Sequence, residues 1–97
     1  MKNNLCAFLL YEKKAEIFKA LSNTARLEIL DLLADGEKCV QEIVDTLKKY
    51  EQPYISKNLS KLKNAGIIKD RKKGLNVYYS IATQCAADFV QRLNNAL

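Results

Sequence analysis

The chain has 97 residues, of which 48% are hydrophobic and 28% charged, which is typical of one folded domain and excludes a multidomain enzyme. Its formal charge of +5 comes from 16 Lys and Arg against 11 Asp and Glu, which favours an acidic partner. The chain contains no histidine, the most frequent general base and metal ligand, which excludes hydrolytic triads and histidine-ligated zinc.

The first two predicted helices are mostly apolar. Apolar residues recur at helical spacing from Asn4 to Ala20, and the early turns are apolar nearly all round. A surface helix does not need that much apolar surface, so we interpret this end as a contact between two copies of the chain. Such pairing would complete the core of a small domain. Asn23 lies in a cluster of N-cap residues, and a second helix is predicted roughly from Asn23 to Ala34.

Two short helices follow, separated by a few residues. The third is predicted from four apolar residues at i, i+3, i+4 and i+7, namely Val40, Ile43, Val44 and Leu47. Pro53 suits the first turn of a fourth helix, and Gly66 is expected to cap its end. The buried side of this fourth helix is predicted to consist of Ile55, Leu59 and Leu62.

The remaining sequence predicts a hairpin and a last helix. Two strand-like runs, residues 67–72 and 75–81, flank a turn at Lys73-Gly74. From about Gln84 onward, apolar residues recur again at helical spacing. The predicted fold is therefore mainly α with a small β-hairpin, in the order of four helices, two strands and a fifth helix. This is the layout of a winged helix-turn-helix, whose second short helix enters the major groove of DNA.

The basic residues are concentrated in the fourth helix and the hairpin. Residues 48–73 carry nine basic and two acidic side chains, whereas residues 1–47 carry six basic and eight acidic ones. A concentrated basic patch suits a polyanion, because each cation that meets a phosphate releases counterions. The segment therefore favours double-stranded DNA over a membrane as the partner.

The candidate DNA contacts follow from the position of each residue on these elements. The first turns of the fourth helix, where base edges are usually reached, carry Tyr54, Ser56, Lys57 and Asn58. Farther along the helix, Lys61 and Lys63 are expected beside phosphates. The hairpin tip adds Arg71, Lys72 and Lys73, which would form the wing along the DNA backbone.

A different function is compatible with the same fold. A lysine-bearing helix face and a lysine-rich hairpin are also common as solvated surface. On that interpretation the chain is a winged-helix module for protein–protein assembly that binds no operator. Salt separates the two hypotheses, since a protein that contacts several phosphates loses affinity steeply as salt rises.

Three stretches of the chain carry a family resemblance. They are residues 20–30 (ALSNTARLEIL), residues 52–68 with QPYISKNL and LKNAGII, and residues 71–81 with RKKG and VYYSI. They are similar to the second-helix entry, the recognition helix with its exit, and the wing of the ArsR/SmtB family of arsenic- and zinc-responsive repressors. The resemblance implies a homodimer formed mainly by the first and last helices. It also implies a repressor that binds an operator with twofold symmetry and is released by an inducer.

The sequence departs from the family in its recognition helix. The family usually has Ser-x-His-Leu where this chain has Ser56-Lys57-Asn58-Leu59. Because an asparagine can pair bidentately with adenine, Asn58 is predicted to contact an A·T pair.

The cysteines leave the question of sensing open. In the metal-sensing branch of the family the third helix opens with Cys-Val-Cys, whereas here Cys39 is followed by Val40 and Gln41. Cys6 lies on a segment that in relatives can reach the third helix of the partner, so the resemblance allows a thiol sensor built from Cys39 and Cys6. Such a site would take a metalloid such as As(III) or a thiol-reactive effector. The alternative is that both cysteines simply pack as small apolar residues.

The expected compartment and cofactor content also follow from residue types. The three cysteines are too few and too scattered for a secreted disulfide scaffold, which indicates a reducing cytoplasm. The apolar run 5–11 is too short to span a membrane. We expect no cofactor, no resident metal and no enzyme activity, because no catalytic groups converge and no glycine loop is available to bind phosphates.

Overall fold

The computed structural model describes the backbone of residues 4–97 and the side chains of residues 10–97. The elements follow in the order α1 (Asn4–Leu21), α2 (Thr24–Ala34), β1 (Lys38–Cys39), α3 (Val40–Thr46), α4 (Gln52–Asn64), β2 (Ile68–Lys73), β3 (Asn76–Ile81) and α5 (Gln84–Ala96). The predicted order of helices and hairpin strands is therefore confirmed. The short strand β1 was not predicted.

Two helix ends are set by the residues that the sequence singles out. The Oδ1 atom of Asn23 accepts a hydrogen bond from the backbone N–H of Arg26 at 3.1 Å and so caps α2. At the end of α4, Gly66 adopts a φ of +78°, which strains any residue with a Cβ. Its N–H donates to the carbonyl of Lys63, and that of Ile67 donates to the carbonyl of Leu62. This is a Schellman motif, which ends α4 and starts the hairpin.

The sheet has three antiparallel strands in the order β1-β3-β2. In the register of β2 with β3, Ile68 faces Ile81 at one end and Lys73 faces Asn76 at the other. The two-residue loop is thus Gly74-Leu75, one position later than predicted. Gly74 has a φ of +63° whereas that of Leu75 is not positive, and a two-residue loop with positive φ at its first position only is a type II′ turn.

The core is built around α2. Ile29 and Leu30 of α2 are at most 1% exposed and belong to the same buried cluster as Ile55, Leu59 and Leu62 of α4. Truncating a buried residue of this kind to alanine costs about 2–5 kcal/mol, so the apolar seam fixes α4 firmly against α2. The opposite face of α4 is thereby directed outward.

Large apolar side chains on α1 and α5 remain uncovered. Phe18 of α1 is 58% exposed and packs edge-to-face on Phe89 of α5, with the ring centroids 5.9 Å apart. Leu10 and Tyr11 of α1 and Leu93 of α5 are also exposed. Among the described residues, no helix combines the length and the apolar character that crossing a bilayer requires.

Candidate nucleic-acid interface

The outward face of α4 is polar and basic. Tyr54, at 40% exposed, stands at the start of the helix, followed by further exposed residues predicted to contact DNA, namely Ser56, Lys57, Lys61 and Lys63. The two cations nearest the helix end, Lys61 and Lys63, also interact favourably with the helix dipole. Except for Asn58, the α4 residues predicted to contact DNA are therefore accessible to a partner.

The burial of Asn58 argues against the prediction that it reads bases. This side chain is only 2% exposed. Its Nδ2 donates to the carbonyl of Tyr54 at 2.9 Å, and its Oδ1 accepts from Nη1 of Arg26 at 2.8 Å. Asn58 lies three residues after Ile55 and four before Leu62, so helical geometry puts it on the buried seam. Its polar character, rather than its position, suggested exposure.

Arg26 is the buried partner that the sequence analysis missed. It is 9% exposed, and its Nε donates to the carbonyl of Ala20 at the end of α1 at 2.6 Å. The guanidinium therefore connects α1, α2 and, through Asn58, the middle of α4. A signal was available, because Arg26 precedes Ile29 and Leu30 by three and four residues and so lies on the apolar face of α2.

A second group of polar contacts positions the start of α4. The Tyr50 hydroxyl donates to Oε1 of Glu28 at 2.6 Å, which raises the pKa of Tyr50 to about 12. The same bond, with that from Lys49, lowers the pKa of Glu28. Tyr54 packs on the Tyr50 ring with the centroids 5.5 Å apart, and its hydroxyl accepts from Asn23 at 3.4 Å. The Asn23 hydrogen bond lowers the pKa of Tyr54. The first turn of α4 is thus attached to α2.

In the wing, formed by β2, β3 and their loop, the cations differ in how far they are neutralised. Lys72 and Lys73 are exposed at the tip. Arg71 instead donates from Nε and Nη2 to the two carboxylate oxygens of Glu37, each at 2.7 Å, and lies over the Tyr78 ring. These bonds lower the pKa of Glu37 and raise that of Arg71. Arg71 is therefore held by its carboxylate partner and is less available to phosphate than its neighbours.

Lys63 is also paired with a carboxylate. Its Nζ lies 2.9 Å from Oδ2 of Asp70 in β2, and this bond raises the pKa of Lys63. The pair connects the end of α4 to the wing. In the described part of the chain, the predicted contact residues whose charge has no ion-pair partner are Lys57, Lys61, Lys72 and Lys73.

The structure places the cysteines only in part. Cys39 is half-buried, faces Tyr78 in the sheet and precedes α3, where its backbone N–H donates to Oε1 of Glu42 at 3.0 Å. Cys85 is exposed. The side chain of Cys6 lies outside the described residues, so a site shared by Cys6 and Cys39 stays a prediction. Within residues 10–97, no three His, Cys, Asp or Glu side chains form a group that could hold a metal ion.

Comparison with known proteins agrees with this geometry. Residues 23–70 match the family model described as bacterial regulatory protein, arsR family. The chain is 56% identical over 73 residues to an HTH-type transcriptional regulator of Methanocaldococcus jannaschii, covering 73% of this chain and 81% of that protein. It is 33% identical over 84 residues to the arsenical resistance operon repressor of Staphylococcus aureus, covering 87% of this chain and 80% of the repressor.

A solved structure shows the same architecture. The solution structure of a homodimeric winged helix-turn-helix DNA-binding domain from Mycobacterium bovis, a possible ArsR-family regulator, superposes with a TM-score of 0.80 at 34% identity. The match covers 99% of this chain and 86% of the other. The chain therefore belongs to the ArsR family of transcriptional regulators and has their winged helix-turn-helix DNA-binding fold.

Proposed function

We propose that two copies of this chain bind one duplex operator of twofold symmetry and repress transcription from it. The observation that carries the proposal is the outward face of α4, which is polar and basic and is connected to the wing by the Lys63–Asp70 pair. An exposed helix of this kind fits the major groove, while a basic hairpin lies along the adjacent backbone. The S. aureus relative, named as a repressor, supports the sign of regulation.

The uncovered apolar side chains of α1 and α5 supply the proposed dimer contact. Phe18, Phe89 and Leu93 are each more than 40% exposed, and burying such residues against a second copy is favourable. The M. bovis relative is homodimeric. A symmetric dimer would place its two α4 helices in successive major grooves, about 34 Å apart.

The proposed contacts divide into two classes. Tyr54, Ser56 and Lys57 stand on the first turns of α4 and reach base edges. Phosphates are contacted by the basic residues farther along α4 and at the wing tip, namely Lys61, Lys63, Lys72 and Lys73. Arg71 and Lys63 contribute less than the unpaired lysines, because Glu37 and Asp70 already neutralise them.

We propose that an inducer acts in the cytoplasm and causes the protein to dissociate from its operator. The family resemblance directs a thiol-reactive or metalloid inducer to Cys39, which joins the sheet to α3. A change at this residue is therefore well placed to alter the helix-turn-helix that α3 and α4 form.

The proposal is tested by selecting bound sites from random duplexes with the purified full chain, followed by affinity measurements at two salt concentrations. We expect inverted repeats with half-sites one helical turn apart and an affinity that falls steeply with salt. The substitutions Lys57→Gln and Lys72→Gln should weaken binding. If the lost contact is to a phosphate, the salt slope should fall by about one.

A matched control is Arg92→Gln, which removes one positive charge from a polar face of α5 that also carries Asp88 and Gln91. This variant should bind like the unmodified chain. Absence of duplex binding even at low salt, or equal loss in all three variants, would contradict the proposal and favour the assembly-module hypothesis.

A further inference from the structure

The charge of Arg26 has no acidic partner. The residue is nine-tenths buried, and the two hydrogen bonds of its guanidinium go to neutral oxygens, the carbonyl of Ala20 and the side-chain amide of Asn58. No carboxylate lies within ion-pair distance among the side chains of residues 10–97, and residues 1–9 contain no Asp or Glu. A buried cation without a counterion is costly, and an anion from outside would relieve that cost.

The guanidinium also keeps donors available. Arginine has five N–H groups, and those at Nε and Nη1 account for the bonds described. In the described part of the chain, no fully buried side-chain nitrogen or oxygen lacks a hydrogen-bond partner. The remaining nitrogen, Nη2, has no hydrogen-bond partner among these residues. It is therefore not fully buried and can be reached from outside the core.

Arg26 lines a cavity of about 310 Å³ between the end of α1, the start of α2 and the last turns of α4. Its lining includes three cations, Lys19, Arg26 and Lys61, and one carboxylate, Glu16. Glu16 is largely exposed and lies 3.9 Å from Lys13, which partly compensates its charge. The walls are completed by Ala20, Asn64 and Ala65.

We propose that this cavity binds a small organic anion, a carboxylate or a phosphate, whose charged group meets Nη2 of Arg26. The N–H groups of Nη2 can donate charge-assisted hydrogen bonds to an oxygen of either group. Lys19 and Lys61 would add charge at the rim, and the two alanines would cover the apolar part of the ligand. The volume lies at the lower end of the range of about 300–1,000 Å³ typical of small-molecule sites.

Occupation of the cavity has a consequence for DNA, which rests on the proposed function. Lys61 is one of the proposed phosphate contacts, and Arg26 holds Asn58 in the middle of α4. An anion bound between them neutralises Lys61, so Lys61 no longer attracts a DNA phosphate. The ligand should therefore weaken binding to the operator.

The experiment titrates sodium citrate and sodium phosphate into the full chain without DNA, by isothermal titration calorimetry, with sodium chloride at equal ionic strength as the reference. We expect saturable binding of at least one of the two anions. Lys19→Gln should weaken it by about threefold to fivefold, the usual loss for one partly exposed ion pair. Arg26→Lys keeps the charge but removes the Nη2 donors, and should weaken it by about tenfold. The control Arg92→Gln should change nothing.

The possible outcomes separate this site from the proposed function. Absence of binding by both anions, or unchanged affinity in Lys19→Gln, overturns the anion site whatever the chain does with DNA. If neither anion binds but Lys19→Gln lowers duplex affinity, the cavity edge contacts a DNA phosphate, and the small-ligand proposal is equally overturned while DNA binding stands. Should Arg26→Lys fail to fold, Lys19→Gln still decides.

Discussion

The substitution Asn58→Ala tests whether this residue stabilises the fold or reads DNA. The structure buries the amide between Arg26 and the backbone of α4, with bonds of 2.8 and 2.9 Å. Alanine at this position removes both bonds and leaves an N–H of the buried guanidinium without an acceptor. We therefore expect the main effect on the free energy of unfolding.

The magnitude follows from the two bonds. A hydrogen bond to a charged group is worth about 1.5–3 kcal/mol, and one between neutral groups about 0.5–1.5 kcal/mol. Part of the first is recovered if water reaches the guanidinium through the adjacent cavity. The expected loss is therefore about 2–4 kcal/mol. Asn58→Asp should lose less stability than Asn58→Ala, because the carboxylate keeps the hydrogen-bond acceptor and gives Arg26 a counterion.

The assay is urea unfolding followed by circular dichroism at one fixed protein concentration, since association contributes to the stability of a dimer. The slope with denaturant should stay the same in all variants, so that a shifted midpoint reports stability. Ser60→Ala, on the exposed face of the same helix, is the matched control and should stay within about 0.5 kcal/mol of the unmodified chain.

The reasoning fails if Asn58→Ala unfolds like the unmodified chain while its preference for A·T pairs disappears. That result would mean that the asparagine leaves the core to contact bases. If stability falls as expected, base preference among folded molecules should remain.

Four other predictions concern association, charge, titration and sensing. Phe18→Asp should convert the dimer to a monomer in sedimentation velocity and abolish operator binding, and a persistent dimer would contradict the role given to α1 and α5. Glu37→Gln should free Arg71 and so raise duplex affinity and steepen its salt dependence, whereas unchanged affinity would mean that Arg71 lies away from DNA. The Tyr50 phenol should titrate at about 12, as read from tyrosinate absorbance, and this component should vanish in Tyr50→Phe. Because the pKa of Tyr50 in the folded chain exceeds the unfolded value of about 10, the stabilisation from its hydrogen bond to Glu28 is present below pH 10. It is lost as pH rises toward 12. Diamide or As(III) should release operator from the unmodified chain but not from Cys39→Ser, and equal responses of the two would refute the thiol sensor.

Local signals in the sequence were sufficient for the order of helices and hairpin. Apolar periodicity gave the helices, Asn23 and Gly66 marked helix ends, and the alternation in residues 75–81 gave a strand. Each of these signals depends only on residues a few positions apart in the sequence, so no knowledge of distant contacts is needed. β1 could not be found in this way, because its two residues have no periodicity and become a strand only by pairing with β3.

The sequence by itself determined the architecture and the position of the basic surface, because both follow from spacing along the chain. Only the tertiary structure decided how the buried polar groups are satisfied and which charges are free. Helical spacing puts Asn58 on the buried seam, but its amide oxygen is satisfied by Arg26, 32 residues earlier, and Arg71 is neutralised because Glu37, 34 residues earlier, reaches it across the fold. The environment of a polar side chain depends on partners that folding brings close from distant positions, and the local pattern carries no record of them.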